Sequence, residues 1–556
     1  MRPCLALLLF AVALRPAPAQ TSTTYRIAGT IVSAIDHHPL QRAAVQLLNP
    51  ENQNTVQSTT SDEYGRFAFT GVPAGNTELQ GSAPNYLATF YDEHDGFNTG
   101  IITGAGVDTE SLVLQLLPAS VIGGIIRDES AEPVQNAIVH LFRESNNFGD
   151  NRYVSAGNAS TDDAGRFEIA RLKPGTYYAA VTASPWYAVH PPTANDNGDP
   201  PPGYRRFSPP RASVAIVDSI DPALDVAYSA TFYPGTTDPT AAAPIVLRAG
   251  DTRDISLQLN PQPAITVTLP RGAGQNNRPE SPPQLHSSFL GLPLGVSSQT
   301  IQTQSHTFIS GLAPGDYFLS TGAPSFTNGT EGTPIHLADR STTAELPVSP
   351  TPAHVHVTVQ PSRDTKLPAH SRVALGGPGV ATTFSKDLDA QNQATFDVSP
   401  GDYSFGINGG GRSPVVTQVL AGERPLPGNR VHLTADQSAF FTLTVSASTH
   451  TFRAVVRKDG KPCPGAFILL LNTADLSDLH NARAVARQQS DLDGSFDLRS
   501  LAPGDYTLVA IENGWDIDWH NDSALAHYLP AATPVHIPDT AEKVQTLPRP
   551  IPVQPR

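Results

Sequence analysis

The sequence predicts an all-β protein, a row of about five small β-sandwich modules. Three observations carry that prediction. A turn-strand-turn stamp, Asp-x-x-Gly-x-Phe followed by Pro-Gly-x-Tyr, recurs along the 556 residues, and its turn glycines fall at Gly75, Gly175, Gly315, Gly401 and Gly504. Apolar residues around each copy alternate with polar ones at the period of a strand with one buried face. Proline is abundant, at 52 residues, while hydrophobic content is an ordinary 39%, a balance that suits short strands and turns better than long helices. A chain of this length also exceeds what one hydrophobic core holds.

At the N-terminus, Arg2, the apolar run Cys4 to Leu14 and the small-x-small triplet Ala17-Pro18-Ala19 read as a secretory signal peptide over 1–19. The run is eleven residues, too short to span a bilayer, and no later stretch is long and apolar enough, so no membrane insertion is expected. The expected location is therefore exported: periplasmic, cell-surface or extracellular. Export permits disulfides, yet only Cys463 remains after cleavage, so packing alone has to hold each module. Loss of Arg2 and Arg15 moves the formal charge from −15 to −17. Such an acidic chain without a basic run is a poor partner for nucleic acid or an anionic membrane.

The stamp has a direct physical reading. Its intact first halves are Asp62 to Phe67, Asp162 to Phe167 and Asp491 to Phe496. Asp at the first position and Gly at the fourth suit a type I turn, Asp capping the backbone and Gly taking positive φ. Phe167 and Ile169, like Phe496 and Leu498, then face the core. Pro174-Gly175 and Pro503-Gly504 turn the chain into a strand on which Tyr506, Leu508 and Ala510 share a face, and the two strands are expected to pair as a hairpin. The first copy loosens the turn to Pro73-Ala74-Gly75, and the third and fourth keep only Pro314 to Tyr317 and Pro400 to Tyr403. Upstream, Ala43-x-Val45-x-Leu47 recurs as Ala137-x-Val139-x-Leu141 and Ala466-x-Ile468-x-Leu470, one face of a strand. Ala88-Thr89-Phe90-Tyr91 recurs as Ala230-Thr231-Phe232-Tyr233.

Modules are thus expected at 21–118, 119–261, 262–349, 350–447 and 448–549, with a proline-rich tail at 550–556. The second carries a proline-rich insert, 188–227, read as an exposed loop. Modules three and four are degenerate copies.

These elements resemble the carboxypeptidase regulatory-like domain. The residues that carry the resemblance are the Pro-x-x-x-Ala-x-Val-x-Leu strand, Asp-x-x-Gly-x-Phe and Leu-x-Pro-Gly-x-Tyr, at Leu172 to Tyr177 and Leu501 to Tyr506. The resemblance implies a seven-stranded Greek-key sandwich, prealbumin-like (transthyretin-like) or starch-binding-like, among the carbohydrate-binding-like folds. It also implies an accessory, non-catalytic role. Some relatives are cross-linked by Lys–Asn isopeptide bonds, but modules one and three contain no lysine and Lys173 lies in a turn.

The search for chemistry leaves no catalytic residue, metal or cofactor to predict. There is no Gly-x-Ser-x-Gly and no His-Glu-x-x-His. His354 and His356 share a strand face without an identifiable third ligand. Asp491-Leu492-Asp493-Gly494 opens like a calcium loop but runs straight into a strand. Cys463 aligns with Leu40 and Val134, which predicts a buried thiol. Trp186, Trp515 and Phe326 each lie nine residues after the stamp tyrosine, and Tyr86 nine after Thr77, a register that predicts an aromatic plug at the end of each sandwich. The candidate ligand-binding residues are Trp519, Trp515, His520, Trp186 and Tyr187. The expected function is that of an exported, non-catalytic structural or interaction protein of the cell envelope, a rod of independent modules meeting an envelope protein or polysaccharide. The alternative is carbohydrate binding through the aromatic loops of modules two and five.

Overall fold

The computed structural model describes residues 23–556 apart from 105, 145–152, 191–220, 271–282, 303–305, 321–332, 339–341, 344–351, 363–366, 368–369, 377–383, 399, 409–413, 427–429, 447–448, 478, 480–483, 520, 539 and 541–542. The signal peptide, most of the insert, Phe326 and His520 lie outside the described residues.

Apart from one two-stranded sheet, the described strands form five pairs of facing sheets, each pair around its own core. In the first module the strand Thr24–Ser33 lies between Arg66–Pro73, antiparallel, and Leu112–Leu116, parallel. The opposing sheet places Ala44–Leu48 between Thr55–Thr60 and Gly75–Ser82, with Thr89–Phe90 and Ile101–Thr103 on the far side of the last. The second and fifth modules repeat this order: fourth, first and seventh strands in one sheet, third, second, fifth and sixth in the other. The inward residues are those of the period-two reading: Phe67, Phe69, Phe167, Ile169, Phe496 and Leu498 are all buried. The degenerate modules keep the architecture, with cores centred on Tyr317 and on Phe396, Tyr403 and Phe441.

The expected hairpin is not formed. Arg166–Leu172 pairs with Ser120–Arg127, whereas Gly175–Thr182 pairs with Ile138–Glu144 in the opposite sheet. The Pro-Gly turn is therefore an arch that carries the chain across the core. Its glycine takes φ of +145° to +158° at Gly75, Gly175, Gly315, Gly401 and Gly504, a region open to glycine alone. The stamp tyrosine locks the arch: its ring is buried, and its hydroxyl donates to the carbonyl four residues back, Tyr177 to Lys173 at 2.6 Å, Tyr317 to Ala313 and Tyr506 to Ala502 at 2.7 Å. Burial pushes the phenols of Tyr317, Tyr403 and Tyr506 up to about 12.

A residue outside the stamp completes it. Ser61, Thr161 and Ser490, each just before the stamp aspartate, are buried. Each hydroxyl donates to the carbonyl of Leu40, Val134 or Cys463 and accepts from the amide of Ala43, Ala137 or Ala466. This ties the turn to the second strand.

Two boundaries differ from the sequence reading. Ile551–Pro552 in the expected tail pairs in parallel with Val456 and Arg457, because Ile551 fills the fifth core. At the end of the expected loop insert, Asp221 caps the 3-10 turn Pro222–Leu224 and Val226–Tyr228 pairs with Pro261–Pro263.

The modules are not independent beads. Phe289 of the third sandwich, 1% exposed, packs against Phe142, Tyr178 and Phe232 of the second, with ring centroids 4.4–6.4 Å away. The fifth module docks on the first, across about 400 residues of chain.

Candidate functional site

The docking of module five on module one arises from a departure within the third intact stamp. Asp62 and Asp162 use one carboxylate oxygen to cap their own turn, accepting from Tyr64 and Arg66, and from Ala164 and Arg166. In the fifth module Asp493 accepts from the Ser495 amide at 2.9 Å instead. Asp491 is thereby released to accept from the Gly100 amide at 3.0 Å and from Asn76 Nδ2 at 2.9 Å, both in module one. The next residue, Leu492, donates its amide to the Gly100 carbonyl at 2.9 Å and packs its side chain on the first core. Gln489, 1% exposed, donates to Thr99 Oγ1 at 2.8 Å and to the Asp92 carbonyl. Burial drives the Asp491 carboxyl up from 3.8 to about 7; the Gly100 N–H opposes this, and Asp493, Asp497 and Glu78 add to it.

Aromatic rings extend this seam. Trp515 packs edge-on against Phe467 of its own module at 4.8 Å and donates Nε1 to the Gly465 carbonyl. Its outer surface meets His94 at 5.8 Å and Phe97 at 5.4 Å, both from module one. Arg487 lies over Phe97 at 5.4 Å and over Trp519 at 5.7 Å. Trp519 rests with Trp515 and Ile517 on an apolar cluster over the outer face of the fifth module, where Asp522–Tyr528 buries Leu525 and Tyr528. Beside the seam opens a cleft of about 580 Å³ lined by Asn76, Glu78, Phe97, Asn98, Gln488 and Arg499, among others.

The other candidates, Trp186 and Tyr187, stand at the end of module two. Trp186 is 84% exposed and Trp515 packs on the outer face of its module, so of these ring positions Tyr86, half-buried against the first core, is the one placed as the shared register predicts. Its ring stands at 87° to that of Tyr187, with centroids 5.8 Å apart. Tyr187 and Tyr228 donate their hydroxyls to the two carboxylate oxygens of Glu129, at 2.6 and 3.2 Å. Burial, then the Glu129 bond and charge, push the Tyr187 phenol up to about 12. The sequence candidates thus form two groups on different modules.

The remaining chemical signals are structural. Cys463 is 7% exposed in the fifth core, and burial raises its thiol. His354 pairs with Asp397 at 2.6 Å, and His356 stacks on the exposed Phe440. Among the described residues no three His, Cys, Asp or Glu side chains converge as a metal site requires. A cross-strand Asp–His pair that the sequence reading missed recurs at Asp316–His336, Asp402–His432 and Asp505–His536, at 2.7–2.9 Å. Its signals were the Asp of Pro-Gly-Asp-Tyr and, about 20–30 residues on, an Ile/Val-His-Leu/Ile triplet that recurs at 335–337, 431–433 and 535–537.

With the fold and the seam in view, the first module can be compared with known domains. Residues 26–96 match the carboxypeptidase regulatory-like domain. This regulatory-like stretch contains Asn76, Asp92 and His94 of the seam, and Phe97, Thr99 and Gly100 follow it directly. No curated protein matches the chain. Among solved structures it is similar to the Bacillus anthracis TIE protein, at 10% identity over 77% of this chain and 75% of that one, TM-score 0.17. A streptococcal ancillary pilin is 11% identical over 51% of this chain and 100% of its own, TM-score 0.17. A minor pilin of Streptococcus agalactiae is 12% identical over 42% and 95%, TM-score 0.19. No helix among the described residues is long and apolar enough to cross a membrane.

Proposed function

We propose that the chain is an exported, non-catalytic structural and interaction protein of the cell envelope, whose array of sandwiches is closed on itself by the seam between modules one and five. The observation that carries this reading is how the seam uses its polar groups. Asp491 and Gln489, which in another setting would read as site chemistry, hydrogen-bond to the regulatory-like stretch and its flank, and Trp515 stacks on His94 and Phe97 there. The closed frame replaces the rod of independent modules.

Gly100→Ala tests it. A methyl at Gly100 would stand 2.5 Å from Asp491 Oδ1 and Asn76 Oδ1, side-chain ends that can swing away, so the seam opens while module one keeps its fold. Small-angle scattering is expected to show a larger radius of gyration for the variant at unchanged circular dichroism. Equal radii would remove the closed frame. The seam is also pH-dependent. Closure raises the Asp491 carboxyl from 3.8 to about 7, so its contribution is full below about pH 4, fades as pH rises towards 7 and is lost above it. Scattering at pH 6 should therefore show a more closed protein than at pH 8. Turnover of peptide, ester or glycoside substrates by the purified protein would overturn the non-catalytic part.

One observation favours carbohydrate binding as a second reading. The cleft beside the seam joins the amides of Asn76, Asn98 and Gln488 to both signs of charge and the edge of Phe97, groups suited to hydroxyls. Glycan-induced changes in tryptophan fluorescence, absent in Gln488→Ala, would support it.

A further inference from the structure

We propose that Trp186, Tyr187 and Glu129 form a recognition site for a cationic side chain, arginine or lysine, presented by a basic segment of a partner protein. The proposal deepens the interaction reading and rests on it, but not on the seam.

A tryptophan that is 84% exposed on a folded module leaves a large apolar surface in water, and such a surface marks a contact site. Here the ring has a specific companion. Tyr187 stands perpendicular to it, so the two form adjoining walls of a corner rather than a flat platform. A flat platform suits a sugar ring; a corner of two π-systems suits a compact cation, drawn to the negative faces of both rings.

The charge at the corner has the matching sign. Glu129 lies in an exposed turn, anchored by Tyr187 and Tyr228. The two phenols occupy one acceptor position on each oxygen, which fixes the carboxylate and limits what remains for ligand hydroxyls. They leave its negative charge intact. Asp128 beneath it is buried and caps the turn by accepting from the Ser130 and Glu132 amides. Burial first, and then both carboxylates, raise the Tyr187 and Tyr228 phenols, so the corner carries a negative field. Arg127, the neighbouring cation, is held by the Ala131 carbonyl at 2.8 Å. At long range the formal charge of −15 draws a basic partner.

The test uses the full chain carrying 5-fluorotryptophan at its three tryptophans. Trp186→Phe assigns the exposed fluorine resonance. The probe is a short Gly-Arg-Gly-Arg-Gly peptide, and its control carries citrulline, which has the shape of arginine without the charge. The Trp186 resonance is expected to shift with the arginine peptide and not with citrulline, and Glu129→Gln to weaken binding by about three- to ten-fold. An equal response to citrulline, a Trp186 shift with a neutral oligosaccharide but not the peptide, full affinity in Glu129→Gln, or no shift at millimolar peptide would each overturn the proposal. The Trp515 and Trp519 resonances report on the seam, and circular dichroism and the melting temperature report on whether Glu129→Gln is folded, so failure of the closed frame is distinguishable from failure of this site.

Discussion

Phe496→Ala is expected to destabilise the fifth module by about 3–5 kcal/mol and to loosen the first module with it. Phe496 is 1% exposed and packs between Phe452, at 6.3 Å, and the buried Leu498 and Tyr506. Removing the ring leaves a cavity that the strand Ser495–Leu501 cannot close, because it is held in register against His450–Lys458. That strand starts directly after the turn that presents Asp491 and Leu492 to module one, so disorder in the fifth core reaches the seam. Denaturant unfolding followed by tryptophan emission measures the first effect, and amide exchange at Gly100 the second. Unchanged exchange at Gly100 in a destabilised variant would mean that the seam does not couple the two modules.

The second large effect is expected from Gly124→Ala, which should destabilise module two by about 3 kcal/mol or more, since close-packed backbone cannot yield as a side chain does. Gly124 lies opposite Ile255 in the parallel pairing of Ser120–Arg127 with Thr252–Gln258. A methyl there would overlap the Ile255 carbonyl oxygen and lie 2.8 Å from its carbon. Gly29 holds the same place in module one, where an added methyl would lie 2.8 Å from the Leu112 carbonyl carbon. Module five has Ala454 at that position, and its seventh-strand pairing is interrupted there: Thr451 to Arg453 pair with Val544 to Thr546, and pairing resumes at Val456 with Ile551. In modules one and two the seventh strand therefore runs unbroken past this glycine, whereas in module four the same edge runs unbroken past Val355 and Val357. A melting temperature for Gly124→Ala equal to the parent's would contradict the expected destabilisation.

Much of the fold was legible because the stamp encodes local geometry. Asp62 and Asp162 cap turns as their spacing requires, and Phe167 and Ile169 point inward as alternation requires. What alternation does not encode is which sheet a strand joins. Pro174-Gly175 reads alike as a hairpin turn or as an arch, and the decision lies in hydrogen bonds from Gly175–Thr182 to Ile138–Glu144, over 30 residues upstream. The seam was illegible for the same reason. Its traces in the sequence are Leu492, where the other copies have Glu63 and Asp163, and Asp493, where they have Tyr64 and Ala164, and only the position of Gly100 gives those residues a meaning. Trp186 and Trp515 share a register yet differ in exposure, because Trp515 meets His94 and Phe97 of another module.

The parallel pairing of the first and last strands of each sandwich has a mechanical consequence. A chain that enters at one pole and leaves at the other, along adjacent parallel strands, transmits tension as shear, loading all the bonds between those strands together instead of unzipping them singly. In module four this clamp extends over eight registered pairs, His354 to Pro361 against Ser438 to Val445. In module three it has two among the described residues, Val267 and Thr268 against Thr342 and Thr343. Under an end-to-end pull, module four, whose clamp is the longest among the described residues, would be among the last to extend.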